Sequence, residues 1–505
     1  MGTLSPPTPL SPADADAHAT KAAWVLWMST LAFTACFAVW TLYAILAIKI
    51  QDEIGLTGAQ FGTLLAVPIL VGSLTRLPVG MLTDRFGGRI VFSIILAVSA
   101  IPTFLVAYAQ TYQEFLWCGA GFGLAGAGFA VGAAYVSVWS TRETQGTALG
   151  IFGVGNVGSA VTSFGVPMML MHLTSWRTVP MIYAGALLLM AALFYMTTYD
   201  DPAHHVRGLT FFQRLRPLAK IRVWRFGLYY FLVFGGFVAI GLWLPAYYRN
   251  VYGLSLETIG LITMAFLLPA SLIRAMGGWL SDRFGARRVM YAVLWISVIG
   301  SAVLALPPSE YVVYTVPYTY TTQNGGEVVQ YKLAYNKFRK QTTATVVALG
   351  YSTRPEAIAA QRKADPLMDA ELTGYLASVE RGDVKPNFGR KTIPIALDVT
   401  WFTVILFVLG IALGIGKAAV YRYVPDYFPK EVGMVGGIVG MIGGLGGFVL
   451  PILWGYALDY TGVYPVSLFA SLFIVSVVSL LWLHYVVTRF MAPREARLAH
   501  AIEDH

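Results

Sequence analysis

The chain has 505 residues, 57% of them hydrophobic and 12% charged, with a formal net charge of +9. Soluble domains carry about 25% charged residues, and the charges here gather between apolar runs of the ~20 residues that cross a bilayer as a helix. This excludes a soluble enzyme and indicates an all-α polytopic membrane protein, with no nucleic-acid partner needed to explain the basic balance.

Residues 1–23 are rich in Pro, Ala and Asp and lack an apolar core, so they read as an N-terminal segment and not as a cleaved signal peptide. Twelve spans are predicted, at 24–49, 58–82, 90–109, 114–138, 146–171, 178–197, 223–248, 257–280, 289–306, 396–420, 432–457 and 464–488. An even number puts both termini on one side. The ends and loops of that side hold Lys21, Arg85, Arg89, Arg142, the cluster from Arg207 to Arg225, Arg283, Arg287, Arg288, Arg422, Lys430 and the run from Arg489 to Arg497. The short loops opposite hold little beyond Lys49, Arg177 and Arg249. The positive-inside rule makes the first side, and both termini, cytoplasmic. Cys36 and Cys118 both fall inside spans, so no disulfide is expected.

The expected organisation is a six-helix half at 24–197, a basic cytoplasmic linker at 198–222, and a second half. That half divides into 223–306 and 396–488 around an insert at 307–395, and a cytoplasmic tail follows at 489–505. The insert lies on the extracytoplasmic side. Tyr/Val/Thr alternation around Asn324-Gly325-Gly326 predicts a β-hairpin, and a charged, helix-like stretch runs from Arg354 to Arg381. It reads as a structural or partner-binding lid, with a substrate-binding domain as the alternative.

Two arginines stand inside apolar spans. Arg76 precedes Asp84-Arg85-Phe86-Gly87 by eight residues, and Arg274 precedes Asp282-Arg283-Phe284-Gly285 by the same eight. An arginine in lipid costs at least ~2.5–3.5 kcal/mol. Arg76 lies ~12 Å along the helix from Asp84, too deep to snorkel. The spans hold almost no acids away from their ends. Two such cations at matched positions point to one anion site shared by the halves. Parallel six-span repeats around a central site are a transporter architecture. Metal-ligand spacing, a nucleophile–base pair and a nucleotide loop are all missing, so neither a metal, a cofactor nor an enzymatic activity is expected.

The loops Gly80 to Arg89 and Gly278 to Arg288 resemble the signature of the major facilitator superfamily. The resemblance implies two pseudo-symmetric six-helix halves and a cytoplasmic gate motif at Asp84, Arg85, Asp282 and Arg283. A solvated loop that only sets topology is the competing reading. Gly150 to Ala160, with its partner Gly433 to Gly447, resembles the nitrate signature of the nitrate/nitrite porter family. Glycines at this spacing also let helices approach closely without any substrate, but that does not explain Asn156 among them. By this resemblance Arg76 and Arg274 clamp the anion from the two halves. Asn156 contacts it through its amide, Phe129 and Tyr230 form walls, and Gly153 and Gly155 line the site. A guanidinium fork suits a planar oxyanion.

Lys417, in Gly414-Ile415-Gly416-Lys417, is the repeat counterpart of Phe129 and is expected to face the same cavity. Such an amine can be neutral in an empty site and charged when an anion arrives, which would couple a proton to the anion. Snorkelling beside Arg422 is the plainer alternative. The segment from Gly416 to Pro451 looks like the nitrate–proton symport branch. The resemblance thus implies a carrier of nitrate, with nitrite possible as substrate, in the cytoplasmic (inner) membrane, working as a monomer in the lipid bilayer. Nitrate/nitrite antiport, a small-carboxylate carrier and, in another class, a membrane nitrate sensor are the alternatives.

Overall fold

A peptide group in hydrocarbon can bond only to its own chain or a neighbour, so long apolar runs close into helices. The computed structural model describes residues 12–141, 144–200, 213, 215–306, 311–322, 325–336, 341–346, 391–393, 397–428, 432–461 and 464–491. Among them, eleven helices are long and apolar enough to cross a membrane, or twelve when one bent pair counts as a single span. The N-terminal half comprises α1 (Asp16–Ile54), α2 (Gly58–Phe86), α3 (Gly88–Leu105), α4 (Tyr112–Trp139), α5 (Gln145–His172) and α6 (Thr178–Thr197). The C-terminal half comprises α7 (Ile221–Tyr252), α8, α9 (Ala286–Leu304), α10 (Val399–Tyr427), α11 (Val432–Thr461) and α12 (Tyr464–Val486). The bent pair is α8, whose parts Leu256–Leu272 and Met276–Phe284 meet at 45°.

Local sequence sets the helix starts. Thr57 and Gln60 form a capping box at α2, and Thr111 and Glu114 do the same at α4. Ser255 caps α8 through Thr258 N, and Asp398 caps α10 through Trp401 N at 2.8 Å. The two Asp-Arg-Phe-Gly loops turn through Gly87 and Gly285, both at φ 84°, a conformation that favours glycine.

The internal repeat extends into the packing. A shift of 198 residues carries Gly72 onto Ala270, and one of 288 carries Gly126 onto Gly414. A Cβ added to Gly126 would lie 2.9 Å from the Cα of Gly72, and one on Gly414 would lie 2.5 Å from the Ala270 carbonyl oxygen. Thus α2 meets α4 as α8 meets α10. Likewise Gly158 of α5 lies against the α1 backbone at Thr34 and Ala38, and its counterpart Gly446 of α11 lies against the α7 backbone at Phe231 and Gly235. Close backbone contact of this kind is how helices associate in lipid.

The halves meet firmly on the face opposite the Asp-Arg-Phe-Gly loops. Gly58 N and Ala59 N, at the start of α2, donate to the Asp459 carboxylate of α11 at 2.8 and 2.7 Å. Arg249 of α7 pairs with Asp52 of α1 at 2.9 Å. On the loop face, Asp282 pairs with Arg422 at 2.7 Å, and Arg422 also holds Asp426 at 2.7 Å. This contact stays within the C-terminal half. The side chains of Arg85 and Arg283 stack on rings of their own loops, Phe86 and Trp279 respectively.

Between α9 and α10 stands a four-stranded antiparallel sheet, ordered β3-β2-β1-β4, with β1 Tyr311–Thr322, β2 Gly325–Asn336, β3 Gln341–Val346 and β4 Lys391–Ile393. The β1–β2 ladder runs from Tyr311↔Asn336 to Thr322↔Gly325, the hairpin expected around Asn324-Gly325-Gly326. The helix-like stretch from Arg354 to Arg381, residue Arg142 and most of the 198–222 linker lie outside the described residues.

Candidate anion site between the halves

Three helices carry a short 3₁₀ or π segment at mid-length. In α4 the residues Leu124–Ala127 form a 3₁₀ turn, in α5 Val154–Val157 do the same, and in α7 Phe231–Gly236 form a π segment. Such departures free or redirect backbone groups and recur at functional positions. They surround Arg76 and Arg274, whose side chains are both buried.

Each arginine reaches toward the other half. Arg76, on α2, donates from Nη1 to the Gly440 carbonyl of α11 at 2.8 Å and from Nε to Gly126 of α4 at 3.4 Å. Arg274, at the bend of α8, lays its guanidinium on Gly153 of α5, where an added Cβ would come 3.2 Å from Cζ. Phe129 joins the two, with its ring centroid 5.5 Å from the Arg76 Cζ and 5.7 Å from that of Arg274. Trp40 and Phe234 complete the walls around Arg76, at 5.7 and 5.4 Å. Neither guanidinium has a carboxylate partner among the described residues. A carboxylate would neutralise the site and close it to an anion. Aromatic faces attract the cations and leave their N–H edges available.

The glycines divide by face. On α5, Gly153 meets Arg274, and in a 3₁₀ turn residues three apart stack, so Asn156 lies on that same face. Gly155 and Gly158 face α1 instead, with Gly155 against the Phe33 ring. On α11, Gly440 and Gly444 face Arg76, while Gly443 accommodates the Tyr230 ring. Asn156 is fully buried, and neither its amide nitrogen nor its amide oxygen has a partner among the described residues. Its repeat counterpart is Gly444, so the amide has no twin in the second half.

Tyr230 stacks on Phe234 at 5.1 Å and meets Tyr421 edge-on at 5.0 Å. Tyr421 is a site residue that sequence reasoning did not single out. It lies 5.9 Å from the Arg274 Cζ, and its hydroxyl donates to the Gly436 carbonyl at 3.2 Å. The signal was available, because Tyr421 stands one helical turn beyond Lys417 on the same face. Trp40 and Phe234 were also missed; they enter only through packing around Arg76. Lys417 itself is fully buried, and Nζ sits 3.5 Å from the Phe237 ring centroid with no hydrogen-bond partner among the described residues. It does not snorkel to Arg422, whose guanidinium is held by Asp282 and Asp426.

Residues 28–353 match the Major Facilitator Superfamily. A Thermus thermophilus protein named as a probable nitrate/nitrite antiporter is 37% identical over 490 residues, covering 95% of each chain. The nitrite extrusion protein of Bacillus subtilis is 25% identical, over 91% of this chain and 94% of that one. Among solved structures, an inward-facing, occupied bacterial homologue of the human lysosomal transporter Spinster covers 94% of this chain and 98% of that one, with a TM-score of 0.60 and 15% identity; this likeness bears on the fold. The chain belongs to the major facilitator superfamily, and within it to the nitrate/nitrite porter family.

Proposed function

We propose that this protein carries nitrate, and nitrite as a second substrate, across the cytoplasmic membrane by alternating access, with a proton moving alongside the anion. The observation that carries the reading is the pair of buried guanidinia from opposite halves, set against one phenyl ring with no acid between them among the described residues. A weakly hydrated planar monoanion can lie between the two forks and accept from both. Its arrival offsets charge that otherwise stays buried. Basic residues on the Asp-Arg-Phe-Gly face support a cytoplasmic placement of that face and of both termini. The relatives' names support the substrate class.

Counterflow tests the reading. Purified protein in liposomes loaded with unlabelled nitrate should draw in labelled nitrate. A membrane sensor would bind without exchange, and absence of counterflow by an active, inserted preparation would end the carrier reading. Nitrate/nitrite antiport is the second reading, favoured by the name of the Thermus relative. It predicts uptake driven by internal nitrite and indifferent to a pH gradient.

Asn156 offers a separate check. A buried polar group without a partner costs about 1–3 kcal/mol, and leucine fills a similar volume without that cost. Asn156→Leu is expected to unfold at a higher temperature than the parent while binding nitrate about tenfold more weakly, the worth of one hydrogen bond. Thermal unfolding and nitrate titration on the same preparation measure both. Unchanged affinity would remove Asn156 from the site.

A further inference from the structure

An α-helix begins with N–H groups that find no partner within it. At the start of α2 the capping box serves two such groups. Gln60 N donates to Thr57 Oγ1 at 3.2 Å, and Thr57 N donates to Gln60 Oε1 at 3.0 Å. Gly58 N and Ala59 N are left over. Both donate to the Asp459 carboxylate of α11, in the other half, one to each oxygen. The first turn of α2 is therefore completed only while the halves touch on this face. The backbones touch there as well. A Cβ added to Gly62 would lie 2.2 Å from the Pro451 carbonyl oxygen, and one on Gly455 would lie 2.2 Å from that of Gly58. Glycine at these points leaves no side chain to disengage when the two helices part.

We infer that Asp459 is the lock of the face opposite the Asp-Arg-Phe-Gly loops, the outer face of the proposed topology. It holds α2 to α11 while that face is shut, and yields Gly58 N and Ala59 N to water when the face opens. A carboxylate on the positive end of a helix, with two charge-assisted hydrogen bonds, is a strong contact. It is also a reversible one. Asp459 is half-buried, and the N–H groups stand at the very end of their helix, so water can replace each partner. The other ion pair across this face, Arg249 with Asp52, has side chains 40% and 44% exposed, and such pairs contribute little. Phe61 of α2 meets Trp243 of α7 at 5.1 Å, an apolar contact without direction. The two locked helices are also the pair that Arg76 bridges at mid-depth through Gly440. Alternating access rocks one half against the other around a fixed site, and the lock sets how often the outer face opens. The inference rests on that rocking and not on which anion is carried.

Labelling of the full chain with a membrane-impermeant maleimide, applied to one face of the membrane at a time, tests it. Ile69 lies on α2 between the lock and Arg76, fully buried against Gly447 of the other half. Leu77 lies just past Arg76 toward the loops, buried beside Gly437. Ile69→Cys should react from the outer face only when that face opens, and Leu77→Cys from the loop face only when that one does. The chain without either substitution gives the background from Cys36 and Cys118. Asp459→Asn keeps one acceptor oxygen and loses the charge. It should raise outer labelling of Ile69→Cys about tenfold, the worth of one charge-assisted hydrogen bond, and leave loop-face labelling of Leu77→Cys no higher. Asp52→Asn should change outer labelling by no more than a few-fold. Thermal unfolding and gel filtration report the fold independently of transport, so the labelling is readable whichever anion is the substrate. Unchanged outer labelling in folded Asp459→Asn overturns the proposal. So does a rise on both faces, which a merely loosened fold would give, or a rise no larger than that in Asp52→Asn.

Discussion

Lysine in place of Arg274 or Arg76 is expected to abolish nitrate uptake while leaving the protein inserted at normal levels. Lysine preserves the charge, so a site that needed only positive potential would survive. This site needs the fork. A guanidinium presents five donors in one plane, stacks on aromatic faces and is weakly hydrated, whereas an ammonium is compact and strongly hydrated. Arg76 lies among Trp40, Phe129 and Phe234 and spends Nη1 on Gly440 and Nε on Gly126. Its Nη2 group remains for the anion. A lysine could not satisfy both carbonyls and still reach the substrate. Arg274 rests on Gly153, with Phe129 and Tyr421 beside it, and makes no hydrogen bond among the described residues. It has the more donors to offer. Losing one charge-assisted hydrogen bond costs ~1.5–3 kcal/mol, about tenfold or more in affinity. Losing a bidentate pair doubles that. The checks are initial uptake rate and nitrate affinity in liposomes, normalised to inserted protein. Normal uptake by Arg274→Lys would sink the two-arginine clamp.

What the sequence disclosed follows from the strength of each signal. The spans and the two halves were legible because hydrocarbon tolerates few structures and the repeated loops carry glycine at positive φ. Arg76 and Arg274 stood out because a buried cation needs a reason. Phe129 stood out only through the resemblance, and the geometry places it between the two guanidinia. Tyr421 stayed hidden because an aromatic in an apolar helix is usually packing. The pairing of Phe129 with Lys417 by the repeat gave the helix face but not the partners of each side chain. The ring that meets Arg274 from α10 is Tyr421, while the Lys417 ammonium turns to Phe237 of α7. Sequence symmetry predicts backbone position well, as Gly126 and Gly414 show. It does not predict where a long side chain goes once its neighbours differ.

Lys417→Met is expected to leave nitrate exchange intact and to abolish pH-driven accumulation. In the proposed clamp two fixed guanidinia face one monoanion, so the loaded site is still cationic by one charge. The empty site carries both charges through the reorientation, and a third permanent charge would oppose that step further. Lys417 is the one added cation there able to shed its charge, since arginine stays protonated. It sits in the field of Arg274. Its Nζ is fully buried on the Phe237 ring, with no hydrogen-bond partner among the described residues. Burying an ammonium without a counter-ion is costly, and an entering nitrate supplies the missing negative charge. On the proposed symport cycle the proton travels with the anion, and the amine returns empty and neutral, so that an acidic exterior is expected to drive nitrate inward. Methionine is uncharged and similar in length, so the site keeps its two arginines and still exchanges nitrate for nitrate. Lys417→Arg should also exchange without accumulating, and its extra volume in a filled site adds a folding cost of about 1–3 kcal/mol. The comparison is labelled-nitrate accumulation in liposomes with and without a pH gradient, alongside counterflow at equal pH. Accumulation by Lys417→Met against its own gradient would show that the proton moves elsewhere. A parent protein that ignores the pH gradient and answers only to internal nitrite would make exchange the mechanism.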